Sequence, residues 1–237
     1  MDASDHLDHL ARQIQLLSTV DPTSLQLVAP SCPAWTGAEL VRHLGSTHRW
    51  ANSWLTAEDP SEFPAFPDQP TETGPQLIDW LITGANELHE SLSNDDPERT
   101  CGSFLGPTTV AWWIRRQTIE TALHRWDLEL ISANPTAFTA DLAGDAIEEW
   151  CALQVARGWD PGPDPVGTVH LHGTDAAGEW LFDIDGGLTW TRGHQKGDVA
   201  VRGTVSDLLL VLWKRVPPAD VDVVGRPELL DRFLASL

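Results

Sequence analysis

A breaker run, Asp160-Pro-Gly-Pro-Asp-Pro165, separates two stretches of chain with different hydrophobic periods. Before it, apolar residues recur every three or four positions, the period of a helix with one buried face; after it they alternate, the period of a half-buried strand. A helix stripe and a strand face bury themselves against different partners, so such a chain folds as two layers of different kind. The expectation is an α+β protein: a helical bundle domain over residues 1–160, then a smaller α+β domain with an antiparallel sheet over 161–237.

The first stretch reads as helices closed by turn residues. Leu7, Leu10, Ile14 and Leu17 make an amphipathic helix that Asp21-Pro22 ends, with His6 and His9 off the stripe and expected in solvent. Thr36 followed by Glu39 is a capping box that starts a second helix, running to about Leu55 with Leu40, His43, Thr47, Ala51 and Trp54 inward. Residues 56–75 hold five prolines and form a long loop. A third helix spans about 76–93, with Leu77, Leu81, Gly84 and Leu88 inward, and a fourth contains Arg116 to Leu130. Four helices with one stripe each read as a bundle. A fifth helix follows Phe138 and ends at Gly158, ahead of the breaker run.

Beyond that run, Val166–His172, Glu179–Ile184, Gly187–Arg192 and Asp198–Gly203 alternate as strands joined by Gly and Asp turns. Two helices close the chain, Thr204 to Trp213 and Pro227 to Leu237.

Composition narrows the partners. With 35 acidic against 15 basic side chains the formal net charge is −20, which repels a phosphate backbone and argues against nucleic acid. Three widely spaced cysteines, Cys32, Cys101 and Cys151, suit a reducing compartment and neither a disulfide frame nor a zinc knuckle. No apolar run approaches the roughly 20 residues of a membrane span, and Met1-Asp-Ala-Ser-Asp-His has no signal-peptide pattern. A cytoplasmic protein is expected. Twelve tryptophans without a tyrosine, several at helical spacing beside Leu and Ala, read as core.

The fourth helix carries the candidate chemistry. Ile119, Leu123, Trp126 and Leu130 form its apolar stripe, and Arg116, Glu120, His124 and Asp127 a polar one about 100° further round. Glu120 and His124, one turn apart, can both reach one divalent ion, with Asp127 or Arg116 orienting them. The same spacing also fits an ordinary helix surface with an ion pair. His43 points inward on the second helix and is either hydrogen-bonded in the core or bound to metal. His48, five residues on, is turned about 140° away, so the two do not easily share an ion.

Three segments in this order, Cys32-Pro-Ala-Trp35-Thr36 with Leu40-Val-Arg-His43-Leu-Gly, the Glu120-x-x-x-His124-x-Trp-Asp127 helix, and Asp198-Val-Ala-Val-Arg-Gly203 through Asp207 to Arg215, resemble the mycothiol-dependent maleylpyruvate isomerase family. The resemblance implies a DinB-like metal-binding four-helix bundle followed by a sterol-carrier-like domain. It implies a divalent ion, usually zinc, on His43, Glu120 and His124, with a fourth position open for water or thiol. It also implies mycothiol as thiol cosubstrate. Such a thiol adds to an electron-poor double bond, rotation follows, and thiol loss gives the trans isomer. An Arg of the C-terminal domain would hold a substrate carboxylate, Arg215 by best match and Arg202 as second choice.

The resulting expectation is a zinc-dependent, mycothiol-using isomerase or S-transferase acting on a small electrophile. Two other readings stand beside it: a non-catalytic ligand- or partner-binding module with a structural polar triad, and a metal-dependent hydrolase in which the ion activates water.

Overall fold

The structure is a computed structural model that describes residues 1–160, 164 and 166–237. It gathers into two units, Met1–Ala137 and Phe138–Leu237.

The first unit is built on four helices: α1 (Ala3–Leu17), α2 (Gly37–Thr56), α3 (Gly74–Ser93) and α4 (Val110–Ile131). Two short ladders sit in the connections, β1 (Val28–Ala29) with β2 (Cys32–Thr36) and β3 (Thr100–Cys101) with β4 (Thr108–Thr109). The expected capping box is present at the start of α2, where the Thr36 hydroxyl accepts from the Glu39 amide and the Glu39 carboxylate accepts from the Thr36 amide. Helices α1 and α2 each pack against both α3 and α4.

The bundle core includes two apolar clusters, one containing Ala51, Trp54, Leu88, Val110 and Trp113, the other Leu40, Leu44, Leu77, Leu81 and Leu128. Between them along α2 and α4 lie buried polar residues: His48, Gln117, Thr118 and Thr121. Each needs an internal partner once water is gone. The Thr121 hydroxyl donates to the Gln117 carbonyl, so it accepts from His48 Nε2 at 2.9 Å, tying α2 to α4. Thr118 donates to the His6 carbonyl, tying α4 to α1.

His6 is buried, against the expectation of a solvated side chain, because α4 covers α1 beyond its apolar stripe. The proline-rich loop is fastened to α2: Arg42 donates to the Pro70 and Glu72 carbonyls, Trp50 Nε1 donates to the Pro64 carbonyl, and the Phe63 and Phe66 rings pack at a tilt against Trp50.

The second unit begins with α5 (Ala140–Ala156), followed by β5 (Thr168–Gly173), β6 (Glu179–Asp183), β7 (Thr189–Arg192), β8 (Val199–Gly203), α6 (Val205–Leu212), β9 (Asp222–Gly225) and α7 (Pro227–Ala235). Strand order is β7-β6-β5-β8-β9. The antiparallel expectation holds at three pairings, but β5 and β8 run parallel. The cause is the connection 193–198: β7 occupies one edge, so the chain returns across the sheet and adds β8 on the other side of β5. Alternation reports which face a residue takes, not its partner strand or direction.

Strand β9 was not expected, since Asp222–Gly225 is short and follows two prolines. Val169, Leu171, Trp180, Phe182, Val199 and Val201 form the buried sheet face. There Trp150 of α5 stacks on Phe182 at 5.9 Å and meets Phe233 of α7 edge-on. Helix α5 therefore belongs with the sheet, and the units divide at Ala137/Phe138 rather than at 160/161. The breaker run that suggested the later position lies mostly outside the described residues. Among the described residues no helix is long and apolar enough to cross a membrane.

Candidate metal centre

Helix α4 is the least amphipathic helix of the bundle because it is buried on nearly every side, from Trp113 through Leu128. Its polar residues are therefore held by neighbours rather than by water. Glu120 and His124 project one turn apart, as their spacing requires, and His43 of α2 meets them. His43 Nε2 and His124 Nε2 stand 3.4 and 3.2 Å from the same atom, Glu120 Oε1. One donor atom from each of the three lies within 4.8 Å of the others.

The remaining atoms of these side chains are engaged elsewhere. Arg116, one turn before Glu120, is bonded to Glu120 Oε2. Asp127 is fully buried and accepts from His124 Nδ1 at 2.9 Å. A carboxylate cannot donate, so a proton sits on Nδ1, and Nε2 is the ring nitrogen turned toward Glu120. Holding the far nitrogen of a histidine with a carboxylate is the usual support of a metal-ligating imidazole. The donors thus fit a divalent ion: two imidazole nitrogens and one carboxylate oxygen face a common point.

His43 is about one-third exposed, whereas His48 is fully buried. His43 therefore lines an accessible edge of the triad, and the deeper imidazole is the one that closes the core. The ring of Trp35, on β2, lies 4.9 Å from the His43 ring and walls that edge. Trp35 received no role from the sequence; its position just before the Thr36 cap is the signal that could have marked it.

Burial pushes His48 down to about 3, outweighing the nearby Glu120 charge, so it is neutral at pH 7. Burial pushes Glu120 up, but the Arg116 and His124 charges hold it well below the usual carboxylate range. Burial pulls His124 down, yet the Glu120 charge and the Asp127 and Glu120 hydrogen bonds raise it to about 9. A raised pKa stabilises the metal-free fold fully below the ordinary histidine value, and that stabilisation is lost as pH rises through about 9. Metal needs the same nitrogen without its proton. Zinc binding at pH 7 should therefore release about one proton from His124, and affinity should climb as pH approaches 9. Calorimetric titration in buffers of different ionisation enthalpy measures this, and uptake without proton release would mean that His124 is not a ligand.

The two arginine candidates lie in the second unit. Arg215 follows α6 and donates to the Trp213 carbonyl at 3.0 Å, its guanidinium 5.5 Å from the Trp213 ring. It lines a cleft with Val211, Lys214 and Pro217. Arg202 is on β8, half exposed, with Asp222 at 3.9 Å.

Comparison with known proteins gives matches along most of the chain. The family model described as the mycothiol maleylpyruvate isomerase N-terminal domain matches residues 7–129, and that of the corresponding C-terminal domain matches residues 141–232. A crystal structure of the mycothiol-dependent maleylpyruvate isomerase superposes with a TM-score of 0.68 at 13% identity, covering 94% of this chain and 93% of that one. A histidine-to-alanine variant of the mycothiol-dependent maleylpyruvate isomerase superposes with a TM-score of 0.65 at 12% identity over the same shares. Among curated proteins none matches the sequence.

Proposed function

Because this chain belongs to the mycothiol-dependent maleylpyruvate isomerase family, a family of enzymes, we propose that it is a zinc-dependent, mycothiol-using isomerase or S-transferase acting on a small electrophile of the maleylpyruvate type. The observation that carries this reading is the convergence of His43 Nε2, His124 Nε2 and Glu120 Oε1, with Asp127 and Arg116 engaging the opposite atoms of His124 and Glu120. His43, Glu120 and His124 would hold the ion. An ion held by these three residues would supply Lewis-acid chemistry, favouring the thiolate form of a thiol at neutral pH.

The chain's own residues then have distinct tasks. Asp127 fixes the His124 tautomer, and Arg116 keeps the Glu120 carboxylate ionised and turned. Trp35 limits the open edge beside His43. In the second unit Arg215, with Arg202 as second choice, is assigned to a substrate carboxylate, since a guanidinium is the side chain suited to bidentate carboxylate binding.

The test is turnover of maleylpyruvate with mycothiol and zinc supplied separately and together. Rotation about a double bond that depends on both is the expected result. Zinc-dependent turnover that ignores the thiol would replace this reading with hydrolysis, and no turnover under any combination would leave a binding module. Arg215→Ala should raise KM with little change in kcat if that residue holds substrate, and Arg202→Ala serves as its comparison.

A further inference from the structure

We infer that His170, His172, Glu179 and His194 form a second metal site, within the sheet unit, that takes a divalent transition ion of the zinc class. Strand alternation puts His170 and His172 on one face of β5, and Glu179 of β6 lies directly opposite His172 in the antiparallel pairing. The connection 193–198, which carries the chain from β7 back to β8, brings His194 onto the same group. One donor atom from each of the four lies within 4.8 Å of all the others. His172 Nδ1 and His194 Nδ1 stand 2.7 and 2.9 Å from the two oxygens of Glu179.

The fourth member separates this group from an ordinary surface ion pair. His170 is only 4% exposed, and its Nε2 is buried without a hydrogen bond, its nearest carboxylate oxygen being Glu179 Oε2 at 3.7 Å. A buried nitrogen left without a partner is costly, and a bound cation would relieve that cost.

Three imidazoles and one carboxylate select the ion. Calcium and magnesium prefer oxygen shells, whereas imidazole suits zinc, copper and nickel. Donors about 2.0–2.2 Å from a tetrahedral ion stand about 3.3 Å apart, so His172 and His194 would back away from Glu179 by about half an ångström while the wider pairs, up to 4.8 Å, close in. With four protein ligands the site is of the closed, structural kind. Its effect would be to staple the 193–198 connection to β5 and β6, a connection held here by the Gly193 amide on the Glu179 carbonyl and by Gln195 on Thr191. A cleft lined by Gly173, Gly178, Glu179 and Gly193 leaves Glu179 reachable from solvent.

The proposal is independent of the bundle triad, and one experiment keeps the two apart. Chelator-stripped full-length protein is titrated with zinc as wild type, as His124→Ala and as His172→Ala/His194→Ala. His194 is 78% exposed at its side chain, so His194→Ala alone serves as a variant whose fold is not at risk. Wild type should bind about two equivalents, and His124→Ala should keep one and melt at higher temperature with zinc than without. The sheet variants should lose that equivalent, with an affinity loss beyond the roughly 10–100-fold expected for removing an outer hydrogen-bond partner. Sheet variants that bind as many equivalents as wild type, or His124→Ala protein that binds none, overturn the sheet site. Loss of one equivalent in the sheet variants but none in His124→Ala upholds it and removes the triad instead.

Discussion

If the bundle triad is the proposed zinc site, replacing His124 by alanine should abolish zinc binding there while leaving the helices folded. His124 supplies one of three donor nitrogens and oxygens, so its loss should weaken zinc by well over the roughly 100-fold that an outer partner costs. His43→Ala should do the same. The informative comparison is His48→Ala. His48 is the more deeply buried imidazole, but its Nε2 is spent on Thr121, so its removal should cost roughly 2–3 kcal/mol of stability from cavity and lost hydrogen bond and leave the metal in place. Elemental analysis beside a denaturant melt reads both quantities. As much zinc in His43→Ala as in wild type, with one equivalent lost in His48→Ala, would mean that α2 contributes the other histidine.

A second large effect is expected at Arg116. Its guanidinium and the Glu120 carboxylate are both largely buried, and Arg116→Met leaves that carboxylate short of its main positive partner. Breaking a buried pair from one side typically costs about 3–5 kcal/mol, and the His124 charge places this case near the lower figure. The pH dependence has a definite sign. Glu120 lies below its ordinary value when folded, so its stabilising contribution is present above the usual carboxylate range and lost as pH falls. In Arg116→Met the decline should begin at higher pH than in wild type. Zinc should recover part of the loss, since the ion binds only the folded state. Urea melts of metal-free and zinc-loaded protein across pH measure all three, and a loss below about 1 kcal/mol would show that Arg116 does not balance Glu120.

The parts of this molecule that follow from local periodicity were legible in its sequence. The α2 capping box, the stripes of α1 and α3, and the one-turn spacing of Glu120 and His124 are each fixed by residues three or four apart. What failed depends on contacts between distant segments. Helix α4 shows a clear stripe, yet it is covered on its other faces too, so the buried threonines and Gln117 gave no sign of their depth. The period of α2 points His43 inward; it meets Glu120 and His124 at a partly open edge, and the fully inward imidazole is His48. The parallel β5–β8 pairing, the strand β9 and the allegiance of α5 to the sheet are likewise set by what closes around them. The sheet histidines had a visible signal, His170 and His172 two apart in a strand, but Glu179 and His194 join them only through pairing and a crossing connection.

Anomalous diffraction at the zinc edge, from zinc-loaded crystals of the His172→Ala/His194→Ala protein, tests the bundle site most directly. The expected result is one strong peak about 2.0–2.2 Å from His43 Nε2, His124 Nε2 and Glu120 Oε1. A fully loaded crystal whose zinc lies anywhere else in the bundle, or that shows no peak between α2 and α4, would contradict it.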